Sequence, residues 1–308
     1  MLTVTDASLS AINPAIAPEG TIRKYYEALL ALGVDYAEVS PAVLPHLGSC
    51  FDPSRVIIRN DFSLSRDGDI IAEITANTLS ANRGKIPGLY LCYDELRIIG
   101  AESLLLSDYL RIFPEILENA SLPVSFSTKN AGYAATALMI EWVLSGGDRI
   151  VCAFMGTGGH APLEEALLAL QVNGYPLSNI DPVRLKPLGA LWQQISGRAI
   201  PDKKPVVGEK IFEVESGIHI DGIIKNSLNY EPFSPEKVGA ERRFVLGKSS
   251  GKKALLMKLK ELNLNINTAD LDRILRLIRQ KSMEESRSIS DTEFCSLIRR
   301  LSGVGTCT

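Results

Sequence analysis

The chain has 308 residues, a hydrophobic fraction of 45%, an aromatic fraction of 6% and a formal net charge of −3. That length suits two domains, or one barrel-sized domain with an appendage, and the aliphatic-rich balance suits a soluble α/β protein. The slightly acidic charge supplies no concentrated basic surface, which argues against a nucleic-acid partner. No apolar stretch reaches the roughly 18 residues of a membrane span.

The opening "MLTVTDASLSAINP" lacks a charged region followed by an apolar run, so it does not read as a signal peptide. Within it, "LTVTD" is a short β-branched run expected as a first strand. "PEGTIRKYYEALLALG" places Ile22, Tyr25, Tyr26, Leu29, Leu30 and Leu32 at helical spacing, with Gly33 as the stop before "DYAEVS" resumes as strand. "RVIIRN" and "ELRIIGA" read as buried strands. "SDYLRIFPEILENA" reads as a helix that Pro114 bends or re-bounds. "LPVSFSTKN", "GYAATALMIEWVLSGG", "DRIVCAFMG" and "APLEEALLALQVNG" continue the alternation of strand and helix. Such alternation predicts parallel β/α construction, of which a β/α barrel is one closed form.

Composition changes near residue 200. "GRAIPDKKPVVGEK" has linker chemistry. "SGKKALLMKLKELN", "NTADLDRILRLIRQKSMEE" and "SDTEFCSLIRRL" each carry helical spacing behind a capping residue. The expected organisation is a degenerate β/α barrel over 1–195, a linker and cover segment over 196–245, and a small helical domain over 246–308.

Chemistry-bearing residues are few. The five cysteines, Cys50, Cys92, Cys152, Cys295 and Cys307, are scattered without a C-x-x-C pair and read as idle thiols of a cytoplasmic protein. His46 sits in a proline-bounded loop and reads as structural. His160 follows "GTGG", a turn that matches neither dinucleotide nor P-loop spacing. His219 and Tyr230 lie in "EVESGIHIDGIIKNSLNYEPFSPEKVG". On residue grounds alone the first is a structural loop histidine and the second a packed aromatic anchor.

That segment, extended to "VGAERRFVLGKSSGKKALLMKL", resembles the region after the catalytic barrel in homocitrate, isopropylmalate and citramalate synthases. "DYAEVSPA", "LRIIGAESLLLSDYLRIFPEI" and "SGGDRIVCAFMGTGGHAPLEEALLAL" resemble barrel strands of the same family more faintly. The resemblance implies a TIM barrel that condenses acetyl-CoA with a 2-oxo acid at a divalent metal. It also implies a post-barrel segment whose counterparts of His219 and Tyr230 serve a partner's active site.

The departures from the family pattern shape the expectation. Where its first strand has the catalytic Arg and a metal-binding Asp, this chain has Ser10 and Ala11. Its two metal-binding histidines match Phe126 and Thr128, and its last ligand, an Asn, matches Met155. Such a set cannot hold a hard cation, so no metal or cofactor is expected on this chain. The span between "VIIRN" and "LRIIG" is also short for two further strand–helix units, one of which takes about 30 residues. The barrel is therefore expected to be abridged or closed in an unusual way.

Together these features lead to the expectation of the non-metal, omega-type subunit of a heteromeric homocitrate synthase. In that reading the chain donates His219 and Tyr230 to a homologous, metal-competent partner that works on acetyl-CoA and 2-oxoglutarate. Self-association into a homo-oligomer stays open. Two alternatives stand beside it: a structural or regulatory pseudoenzyme, and a stand-alone enzyme of altered chemistry using His160 and the "GTGG" turn.

Overall fold

The computed structural model describes residues 1–302 apart from 62, 107 and 108; Cys307, and Ser107 and Asp108 of the expected helix "SDYLRIFPEILENA", lie outside the described residues. The chain divides into two compact units, Met1–Gly208 and Glu209–Thr308.

In the first unit the expected alternation appears as β1 (Thr3–Asp6), α1 (Thr21–Leu32), β2 (Tyr36–Val39) and β3 (Val56–Arg59). Helix α1 buries Ile22, Tyr25, Tyr26, Leu29 and Leu32 and ends at Gly33. After β3 come β4 (Leu64–Arg66), β5 (Asp69–Thr75) and α2 (Ala76–Ala81). Then follow β6 (Glu95–Ile99), α3 (Tyr109–Asn119), β7 (Val124–Ser127), α4 (Ala135–Leu144), β8 (Arg149–Cys152), α5 (Leu163–Val172) and α6 (Leu185–Ser196). Helix α3 continues through Pro114.

Among the described residues eight strands close into a barrel, β1 pairing with β8. The closure is unusual in the way the short β3–β6 span required. Strand β4 runs antiparallel to both β3 and β5, so a three-strand meander replaces two strand–helix repeats. A two-residue turn makes the β4–β5 hairpin, with Asp67 at φ 46° and Gly68 at φ 96°. Two consecutive positive φ values define the type I′ turn, which twists with the strands it joins and favours Asp-Gly. Strands β4 and β5 and helices α2 and α6 were not foreseen. The "SRDGDI" hairpin signal was legible in the sequence; α6 carries Pro187 and Gly189, which mask its periodicity.

The second unit contains β9 (Glu213–Val214), α7 (Gly217–Lys225), β10 (Arg243–Phe244), α8 (Lys252–Glu261), α9 (Leu271–Glu285) and α10 (Asp291–Ser302). Leu255, Ile274, Ile278, Phe294 and Ile298 of the last three helices form its core. Ile220 joins that core, which anchors α7 to the helical platform. Among the described residues no helix is long and apolar enough to cross a membrane.

Candidate functional site

The barrel interior is charged. Glu95 of β6 pairs with Arg66 of β4 at 3.5 Å and Arg149 of β8 at 3.3 Å. Those two strands are not neighbours, so the contacts must cross the lumen. A second layer joins Glu38 of β2 to Arg97 of β6 and to Arg59 of β3, and Arg59 to Glu73 of β5 at 2.7 Å. Glu38 and Arg97 have no exposed side-chain surface. Burial alone would raise the Glu38 carboxyl, but Arg97 and Arg59 outweigh it and hold Glu38 at about 2.

Arg97 is under-satisfied. Its Nη1 donates to Glu38, while Nε and Nη2 are buried without a partner. Ser125, opposite Arg97 in the β6–β7 register, also has a buried hydroxyl without a partner. Groups of this kind cost free energy unless something occupies the space beside them.

Active sites of β/α barrels sit at the C-terminal ends of the strands. There an antiparallel bridge sets Lys129 beside His160, and Asn130 N–H donates to Gly159 O at 2.8 Å. The Lys129 amine donates to Gly158 O at 2.9 Å and lies 3.2 Å from His160 Nε2. His160 Nδ1 lies 3.4 Å from Ser127 Oγ. Burial, with Lys129 adding to it, pushes His160 down to about 4, so the ring is neutral near pH 7. The Lys129 amine is also lowered, first by lost hydration and then by Arg59.

Two buried carboxylates pin the loop that carries His160. Asp6 accepts Phe154 N–H at 2.8 Å and Ser8 N–H at 2.9 Å. Glu164 accepts Met155 N–H at 2.9 Å and pairs with Lys204 at 3.0 Å. Burial raises Asp6 to about 7 and raises Glu164 as well.

The structure corrects the strand register expected for the lost histidines. Two ligands spaced i, i+2 must face the lumen, yet Phe126 packs outward, stacked on Trp142 with ring centroids 5.2 Å apart and edge-on to Phe113. Strand alternation then turns Ser125 and Ser127 inward, and Ser127 meets His160. The expected positions therefore hold Ala11, Phe126, Thr128 and Met155, and the lumen-facing neighbours Ser125 and Ser127 add only hydroxyls, beside the Lys129 side chain. That set does not fit a divalent cation, which needs carboxylate or imidazole ligands and is repelled by an ammonium.

In the second unit His219 lies on α7 rather than in a loop, exposed, and Tyr230 follows the turn Ser227–Asn229. Their ring centroids are 5.5 Å apart. A Cβ at Gly222 would stand 2.4 Å from the Tyr230 hydroxyl, so this glycine lets the tyrosine lie against the helix backbone. Phe212, Glu215, His219, Ile223 and Tyr230 line a cavity of about 400 Å³. Beside it Arg242 donates two 2.7 Å bonds to the Glu231 carboxylate, a planar fork that fixes the strand after Tyr230.

His46 lies in the 3-10 turn Leu44–Cys50, away from these groupings in sequence and element. The sequence reading passed over Glu38, Arg59, Arg97 and Lys129. The available signal was a charged residue at alternate positions within strands otherwise apolar enough to be buried, as in "YAEV" and "ELRII".

Comparison with known proteins adds the family. A profile described as "Homocitrate synthase post-HMGL domain-like" matches residues 206–286. The homocitrate synthase omega subunit of Clostridium pasteurianum is 40% identical over 180 residues, covering 57% of this chain and 50% of the relative. The (R)-citramalate synthase CimA of Methanocaldococcus jannaschii is 31% identical over 252 residues, covering 78% of this chain and 50% of that protein. Homocitrate synthase 1 of Nostoc is 35% identical over 183 residues, covering 58% and 48%. The chain belongs to the homocitrate synthase and isopropylmalate synthase family. The matches span about half the length of these relatives.

Proposed function

We propose that this chain is the non-metal subunit of a heteromeric homocitrate synthase, lending its post-barrel segment to a homologous, metal-competent partner. The observation that carries the reading is a contrast within the chain. The barrel has Ala11, Phe126, Thr128 and Met155 where the family's metal-binding set is expected, with only hydroxyls from Ser125 and Ser127 beside them, while His219 and Tyr230 lie paired at the wall of a cavity. The similarity to a relative named as an omega subunit supports the same division of labour.

In this role the partner's divalent metal supplies carbonyl polarisation, and acetyl-CoA and 2-oxoglutarate are the substrates. In this reading the His219 imidazole, exposed on α7, has one ring nitrogen to accept a proton and one to donate, and exchanges a proton with a reacting group. The Tyr230 hydroxyl, held against Gly222, offers a donor to a substrate oxygen. Both subunits are placed in the cytoplasm.

The test is acetyl-CoA-dependent thiol release with 2-oxoglutarate, run on this chain, on a metal-competent homologue, and on the two mixed. Activity confined to the mixture, and lost in His219→Ala at unchanged assembly, is the expected result. Full activity of the mixture with His219→Ala would instead leave a structural pseudoenzyme.

A further inference from the structure

The loop Phe154–Gly159, which follows β8, is fastened to the segment that ends the first unit, residues 201–208. The fastening runs through Glu164 of α5, a carboxylate with no exposed surface. Its Oε2 accepts the Met155 N–H at 2.9 Å, and its Oε1 lies 3.0 Å from Lys204 Nζ, which also donates to Glu165. A second route runs through α6. A Cβ at Gly189 would stand 3.0 Å from Ile200 Cδ1 and 3.7 Å from Phe154 Cζ, so both side chains press on one bare stretch of that helix. From the same helix Trp192 Nε1 donates to Thr157 Oγ1 at 2.8 Å, and Thr157 Oγ1 donates to Phe154 O at 2.6 Å.

Both segments hold left-handed backbone at residues that do not favour it. Met155 has φ 59° and Val206 has φ 70°. The Val207 N–H donates to Pro205 O at 2.9 Å, which makes Val206 the centre of a three-residue turn of the rare, strained hand. A β-branched residue at positive φ is held there by its surroundings. Around Val206 those are its own burial, the Gly208 N–H donating to Lys204 O at 2.8 Å, and the Lys204 side chain anchored on Glu164.

From this geometry we infer that the loop Phe154–Gly159 and residues 201–208 form one strap, pinned by Glu164, whose two halves loosen together. Loss of the Lys204 contact leaves a buried carboxylate without its cation, which is costly, and weakens the charge-assisted bond that holds Met155. Loss of the loop contacts removes the support that keeps Glu164 and Ile200 in place for the other half. Coupling of this kind is reciprocal.

The strap joins two functional regions along the chain. At one end Gly158 O accepts from the Lys129 amine at the barrel mouth. At the other end Gly208 is the last residue of the first unit. A displacement at the mouth therefore reaches the passage of the chain into the second unit. The inference stands on the first unit alone and is independent of the role given to His219.

The experiment is amide hydrogen exchange on the full chain near neutral pH, read by peptide mass spectrometry, with α1 as the internal reference. Lys204→Met keeps the stem and removes the charge. It should speed exchange of Met155 and its loop neighbours several-fold as well as that of residues 201–208, while α1 is unchanged. Lys204→Arg, which restores a cation, should return both segments close to the parent rates. From the other side, Thr157→Val should speed exchange in residues 204–208. Faster exchange confined to the mutated half, in either variant, would overturn the strap. A rise shared equally by α1 would also overturn it, because the two segments would then have no coupling of their own.

Discussion

The rings of His219 and Tyr230 lie 5.5 Å apart across one turn of backbone, with Gly222 as the floor that allows it. The pairing is local: both residues lie on or just after α7, which is anchored through buried Ile220 and Ile223.

Gly222→Ala should therefore displace Tyr230 rather than unfold the unit. The tyrosine is 45% exposed and can swing outward, and alanine favours a helix over glycine by about 1 kcal/mol, which offsets part of the clash. The expected outcome is loss of nuclear Overhauser contacts between the two rings with stability changed by no more than about 1 kcal/mol. Retained ring contacts would show that the helix moves instead.

Removing Glu38 should be far more damaging. Glu38→Ala leaves Arg97 buried with no anion, and breaking a buried pair from one side costs about 3–5 kcal/mol. Urea unfolding should show that loss, and adding Arg97→Met should recover part of it. The lowered Glu38 carboxyl contributes stability that is present above its ordinary value of 4.5 and is lost as pH falls through about 2.

His160 and Asp6 make opposite pH demands. His160 sits at about 4 against an ordinary 6.5, so the unfolded chain takes up its proton first. Its contribution is present above pH 6.5 and lost as pH falls through 4, about 3 kcal/mol over the full window. Asp6 is raised to about 7 from 3.8, so its contribution is present below pH 3.8 and lost as pH rises through 7. Between pH 4 and 6.5 the two slopes oppose. In His160→Gln stability should fall more steeply with rising pH than in the parent chain; in Asp6→Asn it should rise relative to the parent. Unfolding free energies across that range decide it, and unchanged slopes in both variants would refute the assignment.

The hairpin that closes the barrel depends on backbone freedom at Gly68. Nothing lies within 4 Å of a Cβ built there, so space is not the constraint; the φ of 96° is. Gly68→Val should cost about 1–3 kcal/mol, and Gly68→Asn less, because asparagine tolerates positive φ. Amide exchange in β4 and β5 should quicken in the valine variant first. Equal costs for the two would mean that the turn relaxes freely.

Much of the fold was legible because apolar periodicity is local. The spacing in "IRKYYEALL" announced α1, and the β-branched runs announced β1, β2, β3 and β6 to β8. The short span after Asn60 announced an irregular closure. Three further elements were hidden for identifiable reasons. Strands β4 and β5 follow an Asp-Gly turn signal inside a polar stretch, and α6 is interrupted by Pro187 and Gly189.

The sequence by itself determined which chemical groups this protein owns: three histidines, one of them followed by Tyr230 in the segment that the family profile matches, and charged residues within otherwise apolar strands. Only the tertiary structure decided which of those groups meet. Glu38 and Arg97 are 59 residues apart and become one buried ion pair because barrel closure turns alternate strand positions into a shared lumen. The same closure turns Phe126 outward and Ser127 inward, which no one-dimensional match could fix, since a shift of one residue exchanges the two faces of a strand. Lys129 and His160, separated by 31 positions, meet because a single bridge ties the end of β7 to the loop after β8.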